Sequence, residues 1–169
     1  GRSERRWDHA QPELNLQLPN GDRLHALMAV SGRPAITIRR HDFDIHRVSQ
    51  LVDGGVCDEL LANFLSAAVR ARANIIVAGG TGTGKTTLLN AVAQTIPAED
   101  RIVLIEETSE ILIDKPNLVR FEARRAQAPL GQEEPMPAVT IADLVRATLR
   151  HRPDRILVGE VRGPEAFDL

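Results

Sequence analysis

The sequence has almost no cysteine and no long apolar run. Cys57 is its single cysteine, which excludes an internal disulfide and a zinc site built from several cysteines. No run approaches the roughly 18 consecutive apolar residues that a membrane-spanning helix needs. The first residues, GRSERRWDHAQPE, also lack the apolar stretch of a signal peptide. From these absences we expect a soluble, intracellular protein.

Aromatic residues and lysines are scarce as well. The 169 residues include one Trp, four Phe and no Tyr, and the only lysines are Lys85 and Lys115. Because the net charge is −2 and few side chains can stack on bases, the composition does not favour direct nucleic-acid binding. A set of arginines is therefore interpreted as a solvated helix face or as subunit-interface ion pairs: Arg124, Arg125, Arg146, Arg150 and Arg152.

Three short apolar segments near the start predict a small antiparallel sheet. They cover residues 13–18, 24–30 and 35–40, and the turn-forming stretches PNGD and SGRP separate them. We interpret residues 1–45 as the end of an N-terminal α/β domain and residues 46–56 as a linker with a short helix.

From residue 57 onward, helical patterns alternate with continuous apolar runs. Amphipathic helices are predicted over the stripe from Leu60 to Val69, after Lys85, and after Thr140, which forms a capping pattern with Asp143. The runs NIIVAGG, RIVLIEE and RILVGE predict buried strands, ILIDKPNLVRFEA predicts a hairpin, and the proline-rich residues 124–138 predict an exposed loop. Apolar strands that alternate with helices indicate an α/β fold, with a parallel sheet covered by helices on both faces.

The stretch GGTGTGKTT at residues 79–87 fits the pattern G-x-x-x-x-G-K-[ST] between a predicted strand and a predicted helix. Glycines let successive backbone N–H groups turn towards a phosphate, and the following helix points its positive end to the same place. We expect Lys85 to reach the β- and γ-phosphates and the Thr86 hydroxyl to bind Mg²⁺. The residues predicted to bind nucleotide are Gly80, Thr81, Gly82, Thr83, Gly84, Lys85, Thr86 and Thr87.

Two predicted strands are followed by glutamates. Glu106 and Glu107 follow RIVLI, and Glu160 follows RILVG. In a parallel sheet, ligands bind at the carboxyl ends of the strands. We therefore expect these acids to hold Mg²⁺ or to activate the water that attacks the phosphate.

Four segments resemble the secretion and traffic ATPases of type II and type IV secretion systems, most closely the branch for conjugative transfer and tight-adherence pili. They are RANIIVAGGTGTGKTTLLNAV, DRIVLIEETSEI, PNLVRFEARR and VTIADLVRATLRHRPDRILVGEVRGPEAFDL, and the resemblance extends from about residue 32 to the end. It implies a RecA-like P-loop core, a homo-hexameric ring, and ATP bound between two domains. It also implies a cytoplasmic protein at the inner membrane that works with secretion or pilus components.

The resemblance also implies roles for individual residues. A glutamate-rich box, Glu106 and Glu107 with Glu110 following, would help to place Mg²⁺ and water. Glu107 stands where the family commonly has aspartate. Glu160 would be the base that activates water, and Arg39 and Arg40 would reach the phosphates from the N-terminal domain. The family's histidine-containing box, expected soon after Glu160, is not in the sequence. We therefore expect a fragment that lacks part of the catalytic domain.

Two other functions fit the phosphate-binding pattern. A P-loop kinase for a small molecule would need an acceptor pocket and a lid, for which residues 124–138 are the one candidate loop. A nucleotide-dependent assembly module would bind ATP to set its oligomeric state without hydrolysing it. The sequence leaves both alternatives open and does not identify a transported substrate.

Overall fold

The computed structural model describes residues 7–30, 32–40, 45, 47–124, 126 and 136–161. These residues fall into two compact units, the first within Gly1–Asp42 and Arg124–Val139, the second within Phe43–Ala123 and Thr140–Leu169. The bounds predicted from the sequence for an N-terminal domain, a linker and an ATPase domain stay a prediction. Every helix of the described residues is too short or too polar to count as a membrane span.

The first unit contains a three-stranded antiparallel sheet. Its strands are β1 (Glu13–Gln17), β2 (Arg23–Leu27) and β3 (Ala35–Arg39), arranged in chain order. Between β1 and β2 the N–H of Leu18 donates to the carbonyl of Asp22, and Gly21 takes the left-handed conformation at φ 89°. The small antiparallel layer predicted from the sequence is confirmed.

The second unit is built around a parallel sheet. Its strands are β4 (Ile102–Glu106), β5 (Leu118–Glu122) and β6 (Arg155–Val158), in the order β5-β4-β6. All five residues of the central strand β4 are buried, as the continuous apolar run predicts. The helices of this unit are α1 (Val48–Asp53), α2 (Glu59–Arg70), α3 (Lys85–Ala93) and α4 (Ile141–Thr148), which a 3₁₀ turn (Leu149–His151) follows.

Helices cover both faces of β4. On one face, Val69 of α2 and Val92 of α3 belong to the same buried cluster as Ile102 and Leu104. On the other face, α4 contributes Ile141 and Val145 to a cluster with Val103 and Ile105. The alternating sides of the strand therefore face two helical layers, and the predicted α/β fold with a parallel sheet is confirmed.

The start of α4 follows the predicted capping pattern. The Thr140 hydroxyl accepts a hydrogen bond from the N–H of Asp143 at 3.1 Å, and the Asp143 carboxylate accepts the N–H of Thr140 at 3.0 Å. A further hydrogen bond from the Thr140 hydroxyl holds the pKa of Asp143 below its ordinary value. The two reciprocal bonds fix where the helix begins.

The apolar run before the glycine-rich loop is not a strand, so this prediction is wrong for the described residues. Residues 73–80 have no regular secondary structure, and Ile75 and Ile76 are 40% and 92% exposed. A buried strand needs neighbours that pair with its backbone groups. Among the described residues, the parallel sheet consists of β4, β5 and β6 alone, so the run lacks the pairing that its composition predicts.

The hairpin predicted around residues 114–117 is also wrong. β5 pairs in parallel with β4, and residues 111–115 form no strand. Ile111 and Ile113 are buried, but the N–H groups of Ile111 and Leu112 donate to the side chains of Glu106 and Asn90. Side-chain acceptors replace the neighbouring strand that a hairpin would have supplied.

The helix stripe predicted over residues 60–69 is only partly buried. Val69 is buried and Leu65 packs against the core, whereas Leu60, Leu61 and Phe64 are exposed. β6 is a strand as predicted, although its Ile156 is exposed. Residues 127–135, most of the predicted loop, lie outside the described residues, and Arg124 and Val139 form an isolated antiparallel bridge.

Candidate nucleotide-binding site

The glycine-rich loop leads directly into α3. Gly84 is the residue before the helix and has φ 85°, a left-handed conformation that a side chain disfavours. No side chain caps this helix start in the described structure. The first N–H groups of α3 are therefore left for another acceptor, and the helix dipole adds positive potential at the same point.

Side chains of the loop fold back onto its own backbone. The Thr83 hydroxyl and the Lys85 ammonium both donate to the carbonyl oxygen of Gly80, at 2.8 Å and 2.6 Å. A Cβ at Gly79 would lie 2.8 Å from the Thr83 hydroxyl, so this tight path requires glycine there. The loop is thus a concave turn with a positive charge over it, which suits a phosphate group.

Thr86 lies in the first turn of α3 and faces an acid from another part of the chain. Its hydroxyl donates to Glu110 Oε2 at 3.5 Å, the upper limit for a hydrogen bond. Glu110 lies four residues after the end of β4, and the family resemblance places it after Glu106 and Glu107 in the same glutamate-rich box. The contact brings this acid to a hydroxyl of the loop.

Glu106, predicted to contact metal or water, is 4% exposed at the end of β4. Its Oε1 accepts the N–H groups of Glu110 and Ile111, both at 2.8 Å. Its Oε2 accepts a hydrogen bond from Arg120 Nη1 of β5 at 3.4 Å. Burial raises the pKa of Glu106, while the two backbone donors and the Arg120 charge act in the opposite direction.

The end of β6 lies against Glu106. The N–H of Gly159 donates to the carbonyl of Ile105 at 2.9 Å, and a Cβ at Gly159 would come within 3.0 Å of Glu106 Cγ. Glu160, the predicted base, follows directly and is exposed, as is Glu107. The structure therefore brings the ends of β4 and β6 together, with one buried acid and exposed acids beside it.

The predicted phosphate ligands Arg39 and Arg40 belong to the first unit, where Arg39 ends β3 and both residues are exposed. Within the described residues, no group of three or more His, Cys, Asp or Glu side chains forms a metal cluster.

Two residues near the loop escaped sequence reasoning. Asn90 of α3 is fully buried, its Oδ1 accepts the Leu112 N–H at 2.9 Å, and its Nδ2 has no hydrogen-bond partner among the described residues. Arg120 of β5 is the other. Helical spacing does place Asn90 on the same side of α3 as Thr86, but no sequence pattern names the acceptor or donor across from it.

The residues match a known family profile across most of the chain. The profile described as "Type II/IV secretion system protein" matches residues 6–169. The chain belongs to this family. The resemblance that the sequence motifs indicate is therefore confirmed.

Proteins of conjugal transfer and type IV secretion align with almost the whole chain. A putative conjugal transfer protein of Mycobacterium tuberculosis is 39% identical over 98% of this chain and 48% of its own length. The type IV secretion system protein VirB11 of Brucella suis is 35% identical over 94% of this chain and 50% of its own length. The chain thus spans about half the length of these curated relatives.

A solved structure supports the fold. The crystal structure of the VirB11 ATPase from the Brucella suis type IV secretion system, in complex with sulphate, aligns with a TM-score of 0.51 and 31% identity. The alignment covers 98% of this chain and 55% of the VirB11 chain. The α/β fold predicted from the sequence is therefore shared with a secretion ATPase.

Proposed function

We propose that the protein binds ATP with Mg²⁺ at residues 79–87 and hydrolyses the bond between its β- and γ-phosphates. The observation that carries this proposal is the path of the loop. Gly84 in the left-handed conformation leads into the uncapped start of α3, and the Lys85 ammonium folds back onto the carbonyl of Gly80. A loop of this shape offers backbone N–H donors and a cation to one phosphate group.

Phosphate binding is assigned to the loop and to Lys85. Gly80, Thr81, Gly82 and Thr83 supply backbone N–H groups, and Thr87 extends the set into the helix. The Lys85 ammonium exchanges its bond to the Gly80 carbonyl for the phosphate oxygens. Arg39 and Arg40 stay predicted phosphate ligands on the strength of the family resemblance.

Mg²⁺ is assigned to Thr86, with Glu110 as the nearest acid. Mg²⁺ keeps several waters and typically takes only one or two protein ligands beside phosphate oxygens. The Thr86 hydroxyl and Glu110 Oε2, 3.5 Å apart, are of the right chemical type. Glu107 is exposed and remains a candidate for binding through water, whereas both oxygens of Glu106 already accept hydrogen bonds. When bound, the ion neutralises charge on the β- and γ-phosphates.

Glu160 is assigned as the base. It is exposed directly after Gly159, whose backbone lies against Ile105 and Glu106 at the carboxyl ends of the strands. An exposed carboxylate at this edge of the sheet suits the acceptance of a proton from the attacking water. Lys85 would stabilise the charge that develops on the phosphate as the water attacks.

For the whole protein, we propose a homo-oligomeric, hexameric motor that powers type IV secretion, conjugative transfer or pilus assembly. The family profile and the names of the M. tuberculosis and B. suis relatives support this role. The family resemblance of the sequence motifs further supports a cytoplasmic protein that works with inner-membrane components of such a system.

Release of inorganic phosphate tests the proposed reaction. We expect the protein, with its catalytic domain completed as the family resemblance implies, to release phosphate from Mg-ATP. The Glu160→Gln variant should lose this activity while it still binds ATP. Glu99→Gln is the matched control, because Glu99 is an exposed glutamate in the loop before β4. Binding without hydrolysis by the wild-type protein would instead indicate an assembly module. Phosphate found only on an added small molecule would indicate a kinase.

A further inference from the structure

Glu106 contacts the backbone of the residue that approaches Thr86. Its Oε1 accepts the N–H of Glu110 and of Ile111, both at 2.8 Å, although residues 107–115 form no regular element. Because one carboxylate oxygen accepts both hydrogen bonds, it holds the two adjacent amides in a fixed orientation. The backbone from which the Glu110 side chain projects is therefore set by Glu106.

Arg120 fixes the other side of the same segment. Its Nη1 donates to Glu106 Oε2 at 3.4 Å and to the carbonyl of Ile111 at 2.9 Å. Glu106 is 5% exposed at its side chain and Arg120 is 38% exposed, so the acid is the buried partner of the pair. The arginine compensates the buried charge and also holds the carbonyl next to the amides that Glu106 binds.

The helix that carries Thr86 holds this segment too. Asn90 lies one turn after Thr86 on α3, and its Oδ1 accepts the N–H of Leu112 at 2.9 Å. Residues four apart on a helix share a face. The distance between Thr86 and Glu110 is thus fixed at both ends, by Asn90 from the helix and by Glu106 from β4.

Gly159 leaves room for this arrangement. A Cβ there would lie 3.0 Å from Glu106 Cγ and 3.5 Å from both Glu106 Oε1 and the Ile111 side chain. The residue before the proposed base therefore lies next to the side chain that holds Glu110, with no room for a Cβ between them. Glu106 binds the segment with Glu110 and lies beside the end of β6, which Glu160 follows.

We propose that Glu106 is a positioning residue, which holds the Glu110 carboxylate at Thr86 through the amides of residues 110 and 111 and does not itself bind the metal or the water. This inference rests on the proposed ATPase function. It assigns Glu106 a role different from the one that the sequence predicts, and it makes Glu110 the group through which Glu106 acts.

Hydrogen exchange tests the positioning directly. We expect the amides of Glu110 and Ile111 to exchange at least about tenfold faster in Glu106→Ala than in the wild-type protein, because each loses its acceptor. Glu106→Gln keeps an acceptor oxygen of the same reach and should retain most of the protection. Glu122→Ala, an exposed glutamate paired in register with Glu106, is the matched control. Unchanged exchange in a folded Glu106→Ala protein would overturn the inference.

A double-mutant cycle tests the consequence for Mg²⁺. We expect Glu106→Ala to raise the Mg²⁺ concentration needed for half-maximal ATP binding about tenfold or more, as loss of a supporting residue commonly does. In a Glu110→Ala background the same substitution should have less than about a twofold effect, since its target is gone. Glu106→Gln should recover to within about threefold of wild type.

The outcomes separate the two proposals. Additive effects of Glu106→Ala and Glu110→Ala on the Mg²⁺ requirement would reject the positioning role and leave the ATPase proposal intact. Absence of ATP binding by the folded wild-type protein would reject the proposed function, and the inference with it. A general loss of stability would lower binding equally in both backgrounds, which also contradicts the positioning role.

Discussion

The hydroxyl of Thr86 and the carboxylate of Glu110 lie 3.5 Å apart, although 24 residues separate them in the sequence. The contact joins the first turn of α3 to the segment after β4. It places an acid next to the one hydroxyl of the loop that the family pattern assigns to Mg²⁺. The proposed metal site depends on this relationship.

Substitution of Thr86 should change the Mg²⁺ requirement. Thr86→Val keeps the shape of the side chain but removes the hydroxyl, and we expect the Mg²⁺ needed for half-maximal ATP binding to rise about tenfold. Thr86→Ser keeps the hydroxyl and should stay close to wild type. Calorimetric titrations of ATP across a series of MgCl₂ concentrations measure the effect. Equal requirements in the two variants would remove Thr86 from the metal site.

Gly84→Ala should weaken nucleotide binding through backbone strain. Gly84 has φ 85°, and a side chain in the left-handed region costs about 1–2 kcal/mol. If the loop must keep this conformation to bind phosphate, affinity for ATP falls about tenfold. Gly32→Ala is the control, because a Cβ there meets nothing within 4 Å. A Gly84→Ala protein with wild-type affinity would show that the left-handed turn is not needed.

Asn90→Ala should destabilise the second unit. The variant leaves the Leu112 N–H without its acceptor, which costs about 1–2 kcal/mol, partly offset because the unpaired Nδ2 is removed as well. Urea unfolding measures the difference. Asn63→Ala on the exposed side of α2 should change stability by less than about 0.5 kcal/mol. An Asn90→Ala protein as stable as the control would contradict the buried hydrogen bond.

Asp100 should make stability depend on pH. Its carboxylate accepts hydrogen bonds from Arg155 at 2.8 Å and Arg72 at 3.2 Å. The bond from Arg155, aided by both positive charges, holds its pKa below the ordinary value of 3.8. The folded protein thus favours ionised Asp100, and this stabilisation is complete above the ordinary pKa and is lost as the pH falls through the lower, folded-state value.

The matching variant is Asp100→Asn. At pH 7 it should lower the free energy of unfolding by about 3 kcal/mol, because the nearly buried Arg155 loses the negative charge that compensates its own. The gap between the wild type and the variant should stay constant above about pH 5 and shrink below pH 4. Asp53→Asn, at an exposed aspartate, is the control. A gap that widens in acid would reverse the assigned sign.

The correct sequence predictions concern elements that are determined by residues close to one another in the sequence. β4 is apolar at four successive positions and buried throughout, and Thr140 with Asp143 marks the start of α4 through local bonds alone. The glycine and lysine pattern likewise predicted the turn into α3 at Lys85. In each case the residues that decide the structure lie within a few positions of one another or share one continuous apolar run.

The failures concern partners that a linear pattern does not identify. The apolar run with Ile75 and Ile76 predicted a buried strand. A buried strand needs neighbouring strands, and the described residues supply none for this run. The hairpin prediction placed a turn at residues 114–117, but the backbone N–H groups before it donate to the side chains of Glu106 and Asn90. The sequence did not predict the environment of Glu106 for the same reason. Arg120 lies in β5 and Gly159 follows β6, both far from Glu106 in the sequence.

Titration of the protein with Mg-ATP by calorimetry tests the central claim most directly, when wild type is compared with Lys85→Ala and Lys115→Ala. Lys115 is the other lysine of the chain, and its ammonium donates to the carbonyls of Gln94 and Ile96 beyond the end of α3. We predict saturable binding by the wild type and by Lys115→Ala, and none by Lys85→Ala. Equal binding by Lys85→Ala, or no binding by a folded wild-type protein, would contradict a phosphate-binding role for residues 79–87.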